Sequence, residues 1–113
     1  MDINEAFPSK YFKAADVKDN PLQANIVAVV IEDVVGQGKQ VDHKPVLRLQ
    51  GQDKGIVLNK TNATILTDEF GTSETKDWVK QRVEVRAEKT QFQGKVVDGI
   101  RLSVPKQLEL PLD

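Results

Sequence analysis

Cysteine is absent from the 113-residue chain, so the sequence offers no disulfide framework, no thiol nucleophile and no cysteine-ligated metal. No apolar run approaches the ~20 residues that span a bilayer. The N-terminus also lacks the basic and apolar regions of a signal peptide. We therefore expect a cytoplasmic protein with no membrane partner.

Neither sign of charge is in excess. Sixteen Lys and Arg against seventeen Asp and Glu give a formal net charge of −1, which argues against a protein held on nucleic acid by bulk charge. A local basic face stays possible. With 39% hydrophobic and 29% charged residues, the chain has the composition of one soluble globular domain.

The stretch from Lys44 to Gly71 organises the rest of the chain. Two short β-rich runs, 46–50 and 56–58, are separated by a turn with two glycines, which predicts a hairpin. The apolar period then lengthens to that of a short helix over 61–70. Asn59 or Thr61 can cap its start, and Gly71 can end it in a left-handed conformation.

β-rich sequence flanks this unit. An almost continuous β-branched run at 25–35 predicts a long strand, and strict alternation predicts two half-buried antiparallel strands at 82–90 and 97–104. Trp78 is expected to anchor the segment before them. These patterns divide the chain into an N-terminal arm (1–24), a barrel (25–105) and a C-terminal tail (106–113).

The predicted fold is all-β with one short helix. With strands at 25–35, 45–50, 55–59, 82–90 and 97–104 and the helix at 61–70, the order β1-β2-β3-α-β4-β5 is that of a five-stranded OB-like barrel, the oligonucleotide- and oligosaccharide-binding architecture. An SH3-like barrel is the alternative, although it would not need a full helix at this point.

No catalytic constellation is apparent in the sequence. His43 lies in a polar loop without a second histidine, and Glu32 and Asp33 are neighbours that point to opposite faces of a strand. Gly36-Gln37-Gly38 lacks the following helix that a phosphate-binding loop requires. We expect no enzyme activity, no cofactor and no metal site.

Cations and one aromatic residue surround the face and loops with which an OB fold binds its ligand. They could follow a phosphate backbone, with the phenyl ring as a stacking platform. The candidates are Lys39, Lys44, Arg48, Lys54, Lys60, Lys89, Phe92 and Lys95. Because aromatic residues are few and acidic residues interleave with the cations, binding of single strands without sequence preference fits better than base readout. A solvated charged face is the competing interpretation.

The tail, QLELPLD, is similar to the peptide with which bacterial proteins bind the sliding clamp, of the type QLxLPL. An extended terminus can place alternate side chains in an apolar cleft while the glutamine amide satisfies polar groups at its rim. The residues that would bind the clamp are Gln107, Leu108, Leu110 and Leu112. Alternatively, these leucines fold back on the barrel.

Several segments together resemble a family of small phage and prophage proteins: FPSKYFKAADV, KGIVLNKTNATIL, DWVKQRVEV and VVDGIRLSVP. The resemblance covers most of residues 7–105. It implies an OB-type module of a phage replication or recombination region, with single-stranded DNA binding as its role.

The sequence therefore favours a non-enzymatic accessory protein of DNA replication or recombination, of phage or prophage origin, which binds single-stranded DNA and carries a clamp-binding tail. The alternative is a viral protein-interaction module that binds a host protein and no DNA. A continuous positive groove would favour the first hypothesis, and a patchwork of charge would favour the second.

Overall fold

The computed structural model describes residues 10–35 and 40–105. Within them the chain forms five strands, two α-helices and one 3₁₀ helix. The strands are β1 (Leu22–Val35), β2 (Val41–Leu49), β3 (Ile56–Val57), β4 (Arg82–Phe92) and β5 (Lys95–Ser103). The helices are α1 (Ala14–Val17) and α2 (Lys60–Phe70), and the 3₁₀ helix is Thr75–Trp78. None of these helices is long and apolar enough to cross a membrane.

One five-stranded sheet in the order β3-β2-β1-β4-β5 contains all the strands, and every neighbouring pair is antiparallel. Strand β1 is shared between two halves of this sheet. Its first four residues, Leu22 to Asn25, pair with β4, and its remainder pairs with β2. A register shift between Ile26 and Ala28 marks the crossing from one half to the other. Such a bulge bends the strand, which lets one strand serve both halves.

The hydrophobic core lies where the two halves meet. Ile26 of β1, Leu47 and Leu49 of β2, and Val83 and Val85 of β4 are all buried. Further buried residues complete this cluster: Val17, Ala24, Ile56, Leu58, Leu66, Trp78 and Leu102. Because cross-strand neighbours share a face of a sheet, the register fixes which residues point inward.

Helix α2 confirms the predicted helix between β3 and β4. Asn59 is its N-cap, since the side-chain oxygen accepts a hydrogen bond from the backbone N–H of Asn62 at 2.8 Å. Gly71 ends the helix with φ +72°, a left-handed conformation that glycine adopts without a steric penalty. Leu66 packs into the core, and Phe70 packs against Trp78 with the ring centroids 6.0 Å apart.

The strand boundaries differ from the prediction mainly at their ends. β1 begins at Leu22, three residues before the predicted start, because 22–25 gain a partner in β4. β3 is only two residues long, and α1 was not predicted. The antiparallel pairing of β4 with β5 is confirmed.

The sequence predicted a five-stranded OB-like barrel, and the structure has the five antiparallel strands and the helix, but the sheet is not closed. Closure would need β3 to pair with β5, and among the described residues these two strands are the unpaired ends of the sheet order. The side chain of Asn62 occupies part of that gap. Its amide nitrogen donates to the carbonyl of Ile100 at 3.0 Å, and its oxygen accepts from the N–H of Leu102 at 3.1 Å. A side-chain amide thus supplies to β5 one donor and one acceptor, as a neighbouring strand would.

Two hairpins extend beyond the core. The first arm consists of residues 30–35 and 41–44 of β1 and β2, and the second arm consists of residues 88–98 of β4 and β5. Apolar side chains are exposed on both, Ile31 at 68% and Val41 at 57% on the first and Val96 at 66% on the second.

Candidate nucleic-acid-binding face

The candidate site is the face of β1, β2 and β3 that points away from the core, here called the outer face. Leu47 and Leu49 point inward, so Lys44, Val46 and Arg48 point outward. The register completes the outer face with their cross-strand partners, which are Glu32, Val30, Ala28 and Val57.

An N-terminal segment, residues 10–12, lies along the start of β3. The N–H of Phe12 donates to the carbonyl of Gly55 at 2.8 Å, and the N–H of Gly55 donates to the carbonyl of Lys10 at 3.0 Å. These two bonds form a parallel bridge between Tyr11 and Gly55. A Cβ atom on Gly55 would lie 2.6 Å from Cγ1 of Val46 and 3.0 Å from a guanidinium nitrogen of Arg48. The missing side chain of Gly55 therefore lets the backbone approach both residues closely.

Tyr11, Glu32 and Arg48 form a polar cluster on the outer face. The Tyr11 hydroxyl donates to one carboxylate oxygen of Glu32 at 2.9 Å, and the Arg48 guanidinium donates to the other oxygen. The two hydrogen bonds, from Tyr11 and then from Arg48, hold the pKa of Glu32 below its usual range. In return, the hydrogen bond to Glu32 raises the pKa of Tyr11.

Lys54 contacts the same N-terminal region. Its ammonium nitrogen lies 3.3 Å from a carboxylate oxygen of Asp16, which also accepts a hydrogen bond from the N–H of Lys13 at 2.8 Å. The backbone bond from Lys13 is the main cause that lowers the pKa of Asp16, and Lys54 adds to it. The Lys54–Asp16 pair thus joins the turn before β3 to α1.

On the second arm, Lys89 pairs with Asp98. Their charged atoms are 2.7 Å apart, and Lys18 approaches the same carboxylate at 3.5 Å. The bond from Lys89, assisted by Lys18, lowers the pKa of Asp98. Ala87 packs against the core, and residues two positions apart on a strand point to the same face. Lys89 and its cross-strand partner Asp98 therefore lie on the core-facing side of the second arm.

The predicted cations therefore fall into two groups. Arg48, Lys54 and Lys89 each pair with a carboxylate, whereas Lys44, Lys60 and Lys95 form no ion pair within 10–35 and 40–105. Lys44 lies on the outer face, Lys60 begins α2, and Lys95 begins β5. The positive charge of the described residues is a patchwork rather than a continuous groove.

The remaining predicted residues lie outside the described part of the structure. They are Lys39, the side chain of Phe92, and the four tail residues Gln107, Leu108, Leu110 and Leu112.

The sequence did not predict the contact of Tyr11 with Glu32. The two residues are 21 positions apart, and only the pairing of residues 10–12 with Gly55 brings them together. The three aromatic residues near the N-terminus, Phe7, Tyr11 and Phe12, were the available signal in the sequence, but they show no periodicity from which their contacts could be predicted. His43 and Asp33 form a second, exposed pair near the end of the first arm, as their cross-strand register requires.

A cavity of about 370 Å³ lies on another part of the molecule, beside the bulge of β1. It holds no acidic or histidine side chain, since its lining residues are Asn25, Ile26, Val27, Gln50, Val79 and Lys80. Across the described residues, no group of three or more His, Asp or Glu side chains is placed to bind a metal ion.

Comparison with protein-family models, with curated proteins and with solved structures found no match to this chain.

Proposed function

We propose that this chain is an OB-like module that binds single-stranded DNA along the outer face, between the two arms. The observation that carries the proposal is the strand order β3-β2-β1-β4-β5 with α2 between β3 and β4. An OB fold is a partly open five-stranded barrel in which β1 serves both halves and a helix precedes β4. We infer the location of the site by analogy with OB folds, and we infer its chemistry from the residues found there.

The gap between β3 and β5 is consistent with a partly open barrel. Asn62 carries two hydrogen bonds to β5 at this gap, so the helix substitutes for the missing strand pairing. In an OB fold the ligand lies across β2 and β3 and between the loops that join strands 1 and 2 and strands 4 and 5. Here the strand ends that lead into those loops form the two arms.

Lys44 and Lys95 are the side chains best suited to bind phosphates, because neither is paired with a described carboxylate and they lie on different arms. Tyr11 lies on the outer face near Lys44, because its hydroxyl donates to Glu32, the cross-strand neighbour of Lys44, and a base could stack on its ring. Arg48 is less suited to bind a phosphate, because its guanidinium is already paired with Glu32. Few contacts of this kind favour binding without sequence preference.

The test is a titration of a fluorescent oligo-dT with the protein and with two double variants of equal charge. We expect Lys44→Glu/Lys95→Glu to weaken binding by roughly tenfold or more, since each change removes a phosphate contact and adds repulsion. The matched control is Lys76→Glu/Lys80→Glu, whose residues are exposed but lie on the 3₁₀ helix and just before β4. It should weaken binding by less than about threefold.

An equal loss in both double variants would contradict a site on the outer face. The absence of binding by the unchanged protein would favour the second candidate, a viral protein-interaction module that binds a host protein. That candidate is favoured by the charge pattern, which is a patchwork and not a continuous positive groove: half of the six predicted cations among the described residues are neutralised by carboxylates.

We further propose that the tail binds a bacterial sliding clamp, which would make the protein an accessory factor of phage or prophage DNA replication or recombination. The support is the sequence QLELPL at 107–112, which lies outside the described residues. Clamp binding and DNA binding are separate properties of this proposal, because they use different parts of the chain.

A further inference from the structure

The second edge of β1 lacks a partner strand over most of its length. Residues 26–35 pair with β2 on one edge, but pairing with β4 on the other edge stops at Asn25. Over residues 27–35, no described strand hydrogen-bonds to that second edge. The strand therefore presents a row of backbone donors and acceptors that an added strand could use.

This edge is also apolar and exposed. Val27, Val30 and Ile31 are 48%, 38% and 68% exposed. Monomeric proteins protect such edges with lysine, proline or unpaired inward-pointing charges, and residues 27–35 contain neither lysine nor proline. The two acidic residues of the stretch are both engaged, Glu32 by Tyr11 and Arg48 and Asp33 by His43.

We propose that this edge pairs antiparallel with the same edge of a second copy of the chain, with the two-fold axis at Ile31. In an antiparallel pair, directly opposite residues alternate between hydrogen-bonded and non-hydrogen-bonded pairs. An axis midway between two residues would make two adjacent pairs equivalent by symmetry, although they must differ in type. The two-fold axis therefore passes through a residue position. An axis at Ile31 places residue 27 opposite residue 35 and so uses the whole free edge. An axis nearer to Val29 would bring residues 23–25, which already pair with β4, into the overlap.

The side chains of this register are complementary. Ile31, which has the most exposed apolar side chain among those described in β1, meets its own copy on the axis. Glu32 lies opposite Val30, and Asp33 lies opposite Val29, so no carboxylate faces another directly. A register centred on Glu32 or Asp33 would oppose two carboxylates and be destabilised by their repulsion. The edge is thus better matched to a second copy of itself than to an acidic partner.

The sharpest test is the single variant Ile31→Cys, since the chain has no cysteine of its own. Residues directly opposite each other on antiparallel strands have Cα atoms about 4.5–5.5 Å apart, within the range of Cα separations that a disulfide bridges. Under mild oxidation we expect nearly complete conversion to a cross-linked dimer.

Val41→Cys is the matched control. Val41 has a similar exposure, 57%, on the same arm, but lies on β2, the strand outside β1. Two copies of β2 would be separated by three strand spacings, about 14 Å, which is too far for a disulfide. The Val41→Cys variant should therefore remain without a cross-link. Equal cross-linking of the Ile31→Cys and Val41→Cys variants would overturn the proposed register.

Sedimentation velocity of the unmodified chain gives an independent reading. We expect a dimer at tens of micromolar, and Ile31→Lys should raise the dimer dissociation constant by about tenfold or more, because it opposes two ammonium groups on the axis. Val41→Lys should leave this constant within about twofold. A monomeric unmodified chain, or a dimer insensitive to Ile31→Lys, would overturn the proposal whether or not the protein binds DNA.

Discussion

Asn62 is the polar side chain that joins α2 to β5. It is 1% exposed, and its side-chain amide satisfies the carbonyl of Ile100 and the N–H of Leu102. Its own backbone N–H is satisfied by the Asn59 cap. Asn62 therefore takes part in the N-terminal cap of α2 and also satisfies two backbone groups on the unpaired edge of β5. Buried polar groups of this kind cost free energy only when a partner is lost.

Replacing Asn62 by Leu should lower the free energy of unfolding by about 2–4 kcal/mol, because two buried backbone groups of β5 lose their partners. Urea unfolding, followed through the single buried tryptophan, Trp78, measures the change. Thr61→Ala is the control: Thr61 is exposed in the same helical turn, so its loss should change stability by less than about 0.5 kcal/mol. A loss below about 1 kcal/mol for Asn62→Leu would show that β5 does not depend on this amide.

Local signals let the sequence predict some of these residues and not others. The Asn59 cap and the Gly71 terminus follow from chemistry within one or two turns: the sequence predicted Gly71 and offered Asn59 and Thr61 as alternative caps. Asn62 is buried only because β5, 38 to 40 positions away, supplies its partners. The same limit applies to Tyr11 and Glu32, which are brought together by the Gly55 bridge. Contacts of this range leave no periodic signal in either segment.

At the scale of elements, the N-terminal segment changes the meaning of two predicted binding residues. Arg48 and Lys54 carry the charge expected of phosphate ligands, but each is paired with a carboxylate. Arg48 binds Glu32, which also holds Tyr11 on the sheet, and Lys54 binds Asp16, which lies in the N-terminal segment itself. The strands, the hairpin turn and α2 were predictable because each has a clear period of its own. The packing of residues 10–17 was not, because α1 has only four residues and is held by tertiary contacts.

The tail is the other element with a function of its own. We expect a purified bacterial sliding clamp to bind the full chain with modest affinity, because a short peptide loses conformational freedom when it docks. A chain ending at Lys106 and the double variant Gln107→Ala/Leu110→Ala should both lose binding, whereas Glu109→Ala should retain it, since Glu109 would point to solvent. Surface plasmon resonance with immobilised clamp measures all four. Equal binding by the four proteins, or none by the full chain, would contradict the clamp proposal.

At the scale of the whole molecule, the strand order supports nucleic-acid binding, whereas the charge distribution argues against strong binding. The order β3-β2-β1-β4-β5 with a helix before β4 favours an OB-like module. The net charge of −1 and the paired cations limit the number of phosphates it could hold at once. A single-strand binder built in this way would have modest affinity with a shallow salt dependence, because the slope is proportional to the number of phosphates neutralised and that number is small here.

The salt dependence of oligo-dT binding is therefore the most direct test of the central claim. Fluorescence anisotropy at several salt concentrations should show binding that weakens as salt rises, with a slope of log affinity against log salt of roughly −1 to −3, which corresponds to a few phosphate contacts. No detectable binding to a long single strand at low salt, or binding that does not change with salt, would contradict a phosphate-binding face on this protein.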